Sequence, residues 1–123
     1  MIIEGGKAKD TLVGTSGSDF INGKRGADVL VSNGGDDVMK GGKGADTFVF
    51  AASPEGDDAV SQILDFQPGK DNILIIAEGF DSNVAGWYDG VTGLVTANAG
   101  ALLDPIVTVE AGLYLFPGDI VIG

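Results

Sequence analysis

The chain has 123 residues, with 14 Asp and 4 Glu against 6 Lys and 1 Arg, so its formal charge is −11, and it contains neither cysteine nor histidine. That composition excludes disulfides, thiol or Ser–His nucleophiles and ordinary zinc sites, and its acidity argues against a nucleic-acid partner. It leaves an acidic chain with 21 glycines whose hard ligands are all oxygens, which suits calcium better than transition metals.

The first ten residues, Met1 to Asp10, lack the apolar stretch of a secretory signal peptide. From Gly5 a nine-residue period begins and runs without a gap: Gly5–Val13, Gly14–Asn22, Gly23–Val31, Ser32–Lys40 and Gly41–Val49. The sixth column is Asp in all five units: Asp10, Asp19, Asp28, Asp37 and Asp46. The eighth is large and apolar in all five: Leu12, Ile21, Leu30, Met39 and Phe48. Glycine fills the first column except at Ser32, and the fourth except at Ala8. Three residue types holding one register is a repeat, not a composition effect. Columns one to six read as turn, where glycine permits positive φ. Columns seven to nine read as a short strand whose middle side chain points opposite to its neighbours, placing the eighth column in the core.

After Val49 the period stops. Val60–Phe66, Asp71–Ala77, Pro105–Glu110 and Gly112–Phe116 read as strands, punctuated by turn clusters such as Gln67-Pro68-Gly69-Lys70. No stretch has a helical period over eleven residues. The longest strongly apolar run, Ile73 to Ala77, is too short to span a bilayer. Asp81-Ser82-Asn83-Val84-Ala85-Gly86 starts like an EF-hand loop, but the twelfth position is Thr92 where Glu is required.

The nonapeptide resembles the glycine-rich G-G-x-G-x-D-x-U-x repeat of the RTX (repeats-in-toxin) calcium-binding family. The run from Ala45 to Phe50, with Ile63 to Ile73 after it, is similar to the C-terminal β-roll domain of serralysin-type metalloproteases and to mannuronan epimerase R modules. The sequence departs from that pattern at Ser61 and Leu74, where the family often has Asp. The resemblance implies an all-β fold: a parallel β-roll of five nonapeptides (5–49), continued by a β-sandwich-like C-terminal cap (50–123), in one domain. Two nonapeptides make one coil, so units one, three and five stack on one side and units two and four on the other.

Stacked strands lie about 4.8 Å apart. Carboxylates roughly 5 Å apart repel by about 3 kcal/mol at an effective dielectric near 20. That is comparable with the 1.5–3 kcal/mol or so from burying one Leu-sized side chain. The ion-free roll is therefore expected to be marginal, and calcium between the turns to reverse the balance. Three sites are expected: Asp10 with Asp28, Asp28 with Asp46, and Asp19 with Asp37. By resemblance, the earlier turn of each site supplies carbonyls from columns one and three: Gly5, Lys7, Gly14, Ser16, Gly23 and Arg25. The later turn supplies columns two and four: Lys24, Gly26, Asn33, Gly35, Gly42 and Gly44. Asp57 and Asp58, near Glu55, offer either a terminal half-site or a solvated acidic loop. Asp65 and Asp71 read as turn residues flanking Pro68-Gly69.

The terminal Asp119-Ile120-Val121-Ile122-Gly123 fits either the acidic-then-apolar ending of a type I secretion signal or a plain strand. The resemblance thus implies a secreted, extracellular bacterial module that folds on calcium binding after export through a type I secretion apparatus. It would be the C-terminal part, or a small relative, of a larger secreted protein. The alternative is an extracellular polysaccharide-binding or adhesin-type module, with Trp87, Tyr88 and Tyr114 as candidate sugar-stacking groups. Catalysis is not expected, since H-E-x-x-H is impossible without histidine and no carboxylate pair is singled out.

Overall fold

The fold was read from a computed structural model, which describes residues 2–15, 17–32, 35–52, 61–67, 70–77, 85–88, 94–99, 102–109 and 120–122. Among these every regular element is a strand. In chain order they are β1 (Ile2–Glu4), β2 (Thr11–Val13), β3 (Phe20–Asn22), β4 (Val29–Val31), β5 (Val38–Lys40) and β6 (Thr47–Ala52). After them come β7 (Ser61–Ile63), β8 (Asn72–Ala77), β9 (Ala85–Tyr88), β10 (Leu94–Ala99), β11 (Leu102–Thr108) and β12 (Ile120–Ile122).

The strands alternate between two sheets. One runs β1-β3-β5-β7-β11-β10-β9, the other β12-β8-β6-β4-β2. Through the repeats the pairing is parallel, and each residue sits beside the one eighteen positions on: Ile3↔Ile21, Ile21↔Met39, Leu12↔Leu30 and Leu30↔Phe48. This is the parallel β-roll, with alternate nonapeptides on opposite sides. Strands β2 to β5 occupy columns seven to nine, and β6 begins there and runs on to Ala52.

The three-residue strands work because only one side chain per strand turns inward. Ile21, Leu30, Met39 and Phe48 are all fully buried. Leu12 and Ile3 pack against the same core from the open end of the roll, half-covered. The core continues through Ile63, Phe66, Ile73, Ile75 and Val109. Phe66 meets Phe48 at a ring separation of 6.3 Å, tilted by 48°.

Beyond the repeats the two sheets grow by different rules. β8 adds in parallel beside β6 (Phe48↔Ile73), and β12 adds in parallel beside β8 (Ile120↔Ile73). Ile120–Ile122 is therefore a paired strand. On the other sheet β11 lies parallel to β7, then β10 and β9 follow antiparallel. The register shifts between Val95 and Thr96, opposite Val107 and Pro105, leaving Ile106 as the extra residue. Proline cannot donate to a ladder, and a bulge is where an internal strand tolerates one.

The expected strand at 71–77 is observed at 72–77, that at 60–66 shrinks to 61–63, and that at 105–110 is observed at 102–108. The expected Gly112–Phe116 strand lies outside the described residues. Strands β1, β9 and β10 were not foreseen.

Candidate metal sites

The aspartate column lies buried along the two turn sides of the roll. Asp19, Asp28, Asp37 and Asp46 are each at most 5% exposed, and Asp10, at the open end, is half-buried. Each carboxylate reaches back one coil. Oδ1 of Asp28 accepts from the Asp10 amide at 2.8 Å, Oδ1 of Asp46 from the Asp28 amide at 2.9 Å, and Oδ1 of Asp37 from the Asp19 amide at 2.9 Å. The expected pairs Asp10/Asp28, Asp28/Asp46 and Asp19/Asp37 thus occupy successive rungs.

The ladder goes further than the nonapeptide. Oδ1 of Asp71 accepts from the Asp46 amide at 2.9 Å, and Asp71 is 1% exposed. Asp71 is therefore the fourth carboxylate in the Asp10–Asp28–Asp46 stack, a role the sequence reading missed. On the other side the same position falls to Ser61, whose hydroxyl accepts from the Asp37 amide at 3.1 Å. Asp65 lies outside the column. Its two oxygens accept from the Gly41 and Gly42 amides at 2.9 and 2.8 Å.

The second oxygens separate the carboxylates into two groups. Oδ2 of Asp10, Asp19 and Asp71 accepts from the amide four residues earlier: Gly6 at 2.8 Å, Thr15 at 2.7 Å and Gln67 at 2.9 Å. Oδ2 of Asp37 takes the Ser32 hydroxyl, which stands where the other units have glycine. Oδ2 of Asp28 and of Asp46 is buried without a hydrogen-bond partner. A buried anionic oxygen left unpaired is costly, so these two atoms are where a cation fits best.

The glycines make room for this arrangement. A Cβ at Gly23 would lie 2.4 Å from Asp28 Oδ2, and one at Gly41 2.3 Å from Asp46 Oδ2. Column two takes positive φ at Lys24 (65°) and Gly42 (80°), and column four at Gly26, Gly35 and Gly44. These left-handed residues turn carbonyls along the roll axis. A Cβ at Gly42 would sit 1.9 Å from Lys24 O, and one at Gly44 2.5 Å from Gly26 O. Gly6 O likewise accepts from the Arg25 amide at 3.3 Å.

Column-two and column-four oxygens therefore reach forward to the next stacked turn. Column-one oxygens reach back: Gly23 O lies 2.9 Å from a Cβ built on Gly5. For columns one, two and four these directions are opposite to the expected ones. Between Asp10 and Asp28 the approaching carbonyls belong to Gly6, Ala8 and Gly23. Between Asp28 and Asp46 they belong to Lys24, Gly26 and Gly41. On the other side Ser32 O reaches back toward Gly14. The directions of the Lys7 and Arg25 carbonyls are not fixed by these contacts. Ser16, Asn33, Asp57 and Asp58 lie outside the described residues.

Stacking also shifts the carboxyl equilibria. Burial, with the charges of Asp71, Asp28 and Asp65, pushes Asp46 up to about 7. Burial raises Asp28, aided by the Asp10 charge, and raises Asp37 and Asp71 as well. Burial acts the same way on Asp19, but the Thr15 amide and hydroxyl bonds outweigh it and leave that group lowered. Among the described residues no three acidic or other ligating side chains form a metal cage. Two carboxylates and the backbone carbonyls between stacked turns make an all-oxygen set of the kind calcium accepts.

The sequence model of the RTX calcium-binding nonapeptide repeat matches residues 2–30 and 13–48, in four copies. No curated protein matches. Among solved structures, the AlgE6R3 subunit of the mannuronan C5-epimerase from Azotobacter vinelandii is similar, with 28% identity and a TM-score of 0.55. That match covers 95% of this chain and 80% of the other. The AlgE6R2 subunit of the same enzyme shares the fold at a TM-score of 0.56, with 24% identity, 98% of this chain and 91% of the other.

Proposed function

We propose, because the RTX calcium-binding nonapeptide model matches residues 2–30 and 13–48, that the chain is a calcium-triggered folding module of a secreted bacterial protein. It stays unstacked at low calcium and closes into the roll when the ion enters outside the cell. Extracellular calcium modules work near 10⁻⁴–10⁻³ M, well above cytosolic levels. Asp10, Asp19, Asp28, Asp37 and Asp46 are the side-chain ligands, completed by the turn carbonyls. Export by a type I apparatus and service as the C-terminal part of a larger protein extend this reading, which is one of binding, not catalysis.

The observation that carries it is the pair of fully buried, unpartnered oxygens, Asp28 Oδ2 and Asp46 Oδ2. A sequence that builds glycine cradles around unpaired anionic oxygens is organised for a cation. The test is circular dichroism through a calcium titration after chelator treatment. β-Structure should rise with calcium and respond weakly to magnesium, which needs tighter octahedral geometry and sheds water reluctantly. Asp28→Ala should lower bound calcium more than Asp10→Ala, because Asp28 serves two intervals. A full β spectrum in excess chelator would defeat the folding trigger, and equal losses would defeat the stacking order.

One observation favours a second reading, an extracellular polysaccharide-binding or adhesin-type module. An open groove of about 440 Å³ runs beside the odd-numbered turns, lined by Lys24, Arg25, Lys40 and Lys43 together with Asp65 and Gln67. Four cations on one groove of an otherwise acidic chain suit a carboxylated sugar polymer. Of the aromatic candidates, Trp87 and Tyr88 stand on β9, an edge strand. Their side chains, and Tyr114, lie outside the described residues. Calorimetry with acidic and neutral oligosaccharides, calcium present, separates the readings: retention of neither leaves the folding module alone.

A further inference from the structure

We infer that the roll carries a fourth calcium site, outside the nonapeptides, between Asp46 and Asp71. It rests on the calcium reading above and adds an interval that the repeat pattern does not contain.

The partnering of the second carboxylate oxygens carries the inference. In the Asp10–Asp28–Asp46–Asp71 stack, the two ends, Asp10 and Asp71, have Oδ2 held by their own turn amides, Gly6 and Gln67. The two residues between them have Oδ2 buried and unpartnered. The corresponding local amides are engaged elsewhere: Lys24 N bonds Asn22 Oδ1 at 3.0 Å, and Gly42 N bonds Asp65 Oδ2 at 2.8 Å. A stack ending at Asp46 would leave Asp46 placed like Asp10. Instead Asp46 has the same environment as Asp28, a residue with a carboxylate on each side. The backbone agrees. Asn72 N donates to Asp46 O at 2.9 Å, as Thr47 N donates to Asp28 O and Val29 N to Asp10 O at the same distance. Asp71 is thus stacked on Asp46 as Asp46 is on Asp28, although 25 residues separate the first pair and 18 the second.

The opposite side supplies the contrast. There Ser61 occupies the next rung above Asp37, and Asp37 has both oxygens partnered, by the Asp19 amide and the Ser32 hydroxyl. With Ser61 in place of a second carboxylate, that interval lacks the acidic pair that every other interval has. The two sides therefore differ: three intervals on the Asp71 side and one on the Ser61 side.

The experiment counts calcium bound to the full chain by equilibrium dialysis, with isothermal titration calorimetry in parallel. The chain should bind four ions, Asp71→Asn three and Ser61→Asp five. The serine variant guards against the chance that Asp71→Asn simply fails to fold, since it predicts a gain. Three ions in the parent chain, unchanged by Asp71→Asn, would overturn the fourth site and leave the repeat sites standing. A chain that binds no calcium would overturn the reading beneath both.

Discussion

Asp46 concentrates the chemistry of this roll in one residue. Fully buried, it is pushed up to about 7, first by burial and then by the charges of Asp71, Asp28 and Asp65. Its linkage to stability has a definite sign. Below about 3.8, the unfolded value, the group is protonated in both states and costs the fold nothing. As pH rises toward 7 the unfolded chain releases its proton while the folded chain holds it, so stability falls. Asp28, Asp37 and Asp71 are raised too and act in the same direction. In chelator, therefore, the chain should hold more of the roll's β-structure at pH 4.5 than at pH 8. Calcium affinity should climb over the same window, because protons and ions compete for the same oxygens. Circular dichroism in chelator at the two pH values checks this, and more β-structure at pH 8 than at pH 4.5 would contradict it. Asp71 itself was hidden from the sequence by spacing. Asp71 stands 25 residues after Asp46, and Ser61 24 after Asp37, where the repeats keep 18, so a search at a fixed period stops at Val49. The readable signal was Asp71 followed two positions later by Ile73, the column-six and column-eight pair of every nonapeptide.

At the scale of the element, the turns were more legible than the sheets that end the chain. Columns seven to nine mark β2 to β5 residue for residue, because each short strand needs only one inward apolar side chain. β9 and β10 are built from Ala85–Tyr88 and Leu94–Ala99, where Gly, Ala, Thr and Asn dilute any alternation. They exist through antiparallel pairing, β10 on β11 and β9 on β10, which local composition does not encode. β1 was missed for a different reason: it precedes the first full repeat and is recruited only by its register with β3. Direction along the roll also escaped the sequence, since which carbonyls face forward depends on the positive φ of Lys24, Gly26, Gly42 and Gly44. The glycines should accordingly differ in their tolerance of change. Gly42→Ala puts a Cβ 1.9 Å from the Lys24 carbonyl at a φ of +80°, whereas at Gly17 the nearest atom is the Thr15 hydroxyl at 3.8 Å and φ is ordinary. Gly42→Ala should cost more than about 2 kcal/mol, the range of strained or overpacked sites. Gly17→Ala should stay within about 0.5–1 kcal/mol. Urea unfolding in saturating calcium measures both, and equal midpoints would contradict the backbone directions described above.

Over the whole molecule, charge and calcium separate by region. Residues 5–49 hold six Asp and six of the seven basic residues, so the repeat array is formally neutral. All of the −11 belongs to Glu4 and the rest of the chain, twelve acids with Lys70 as the single base. Calcium recognition therefore follows from spacing, not from net acidity. The bases stand beside the ladder: Lys24, Arg25, Lys40 and Lys43 line one groove, and Lys7 shares a second with Lys24 and Arg25. Lys24 also pairs with Glu4 at 3.1 Å, both half-exposed. Positive charge near an ion site weakens it, so replacing Lys7, Lys24 and Lys43 with Asn should tighten calcium binding by a few-fold at low ionic strength. The gain should shrink as salt screens it. Titration calorimetry at two salt concentrations measures this, and unchanged affinity would place these charges too far from the ions to matter.

The eighteen-residue register has a consequence for how such a chain can lengthen or shorten. Adding or deleting one nonapeptide would carry every later unit across to the other side of the roll. For a change between Asp10 and Gly41, Asp46, Asp71, Asp65 and the Gly41 and Gly42 amides would cross together, and Asp10 would be left in the opposite column. Adding or deleting two returns each later residue to its own side. The heritable unit of this architecture is the pair, and an odd count changes its partners while leaving each repeat intact.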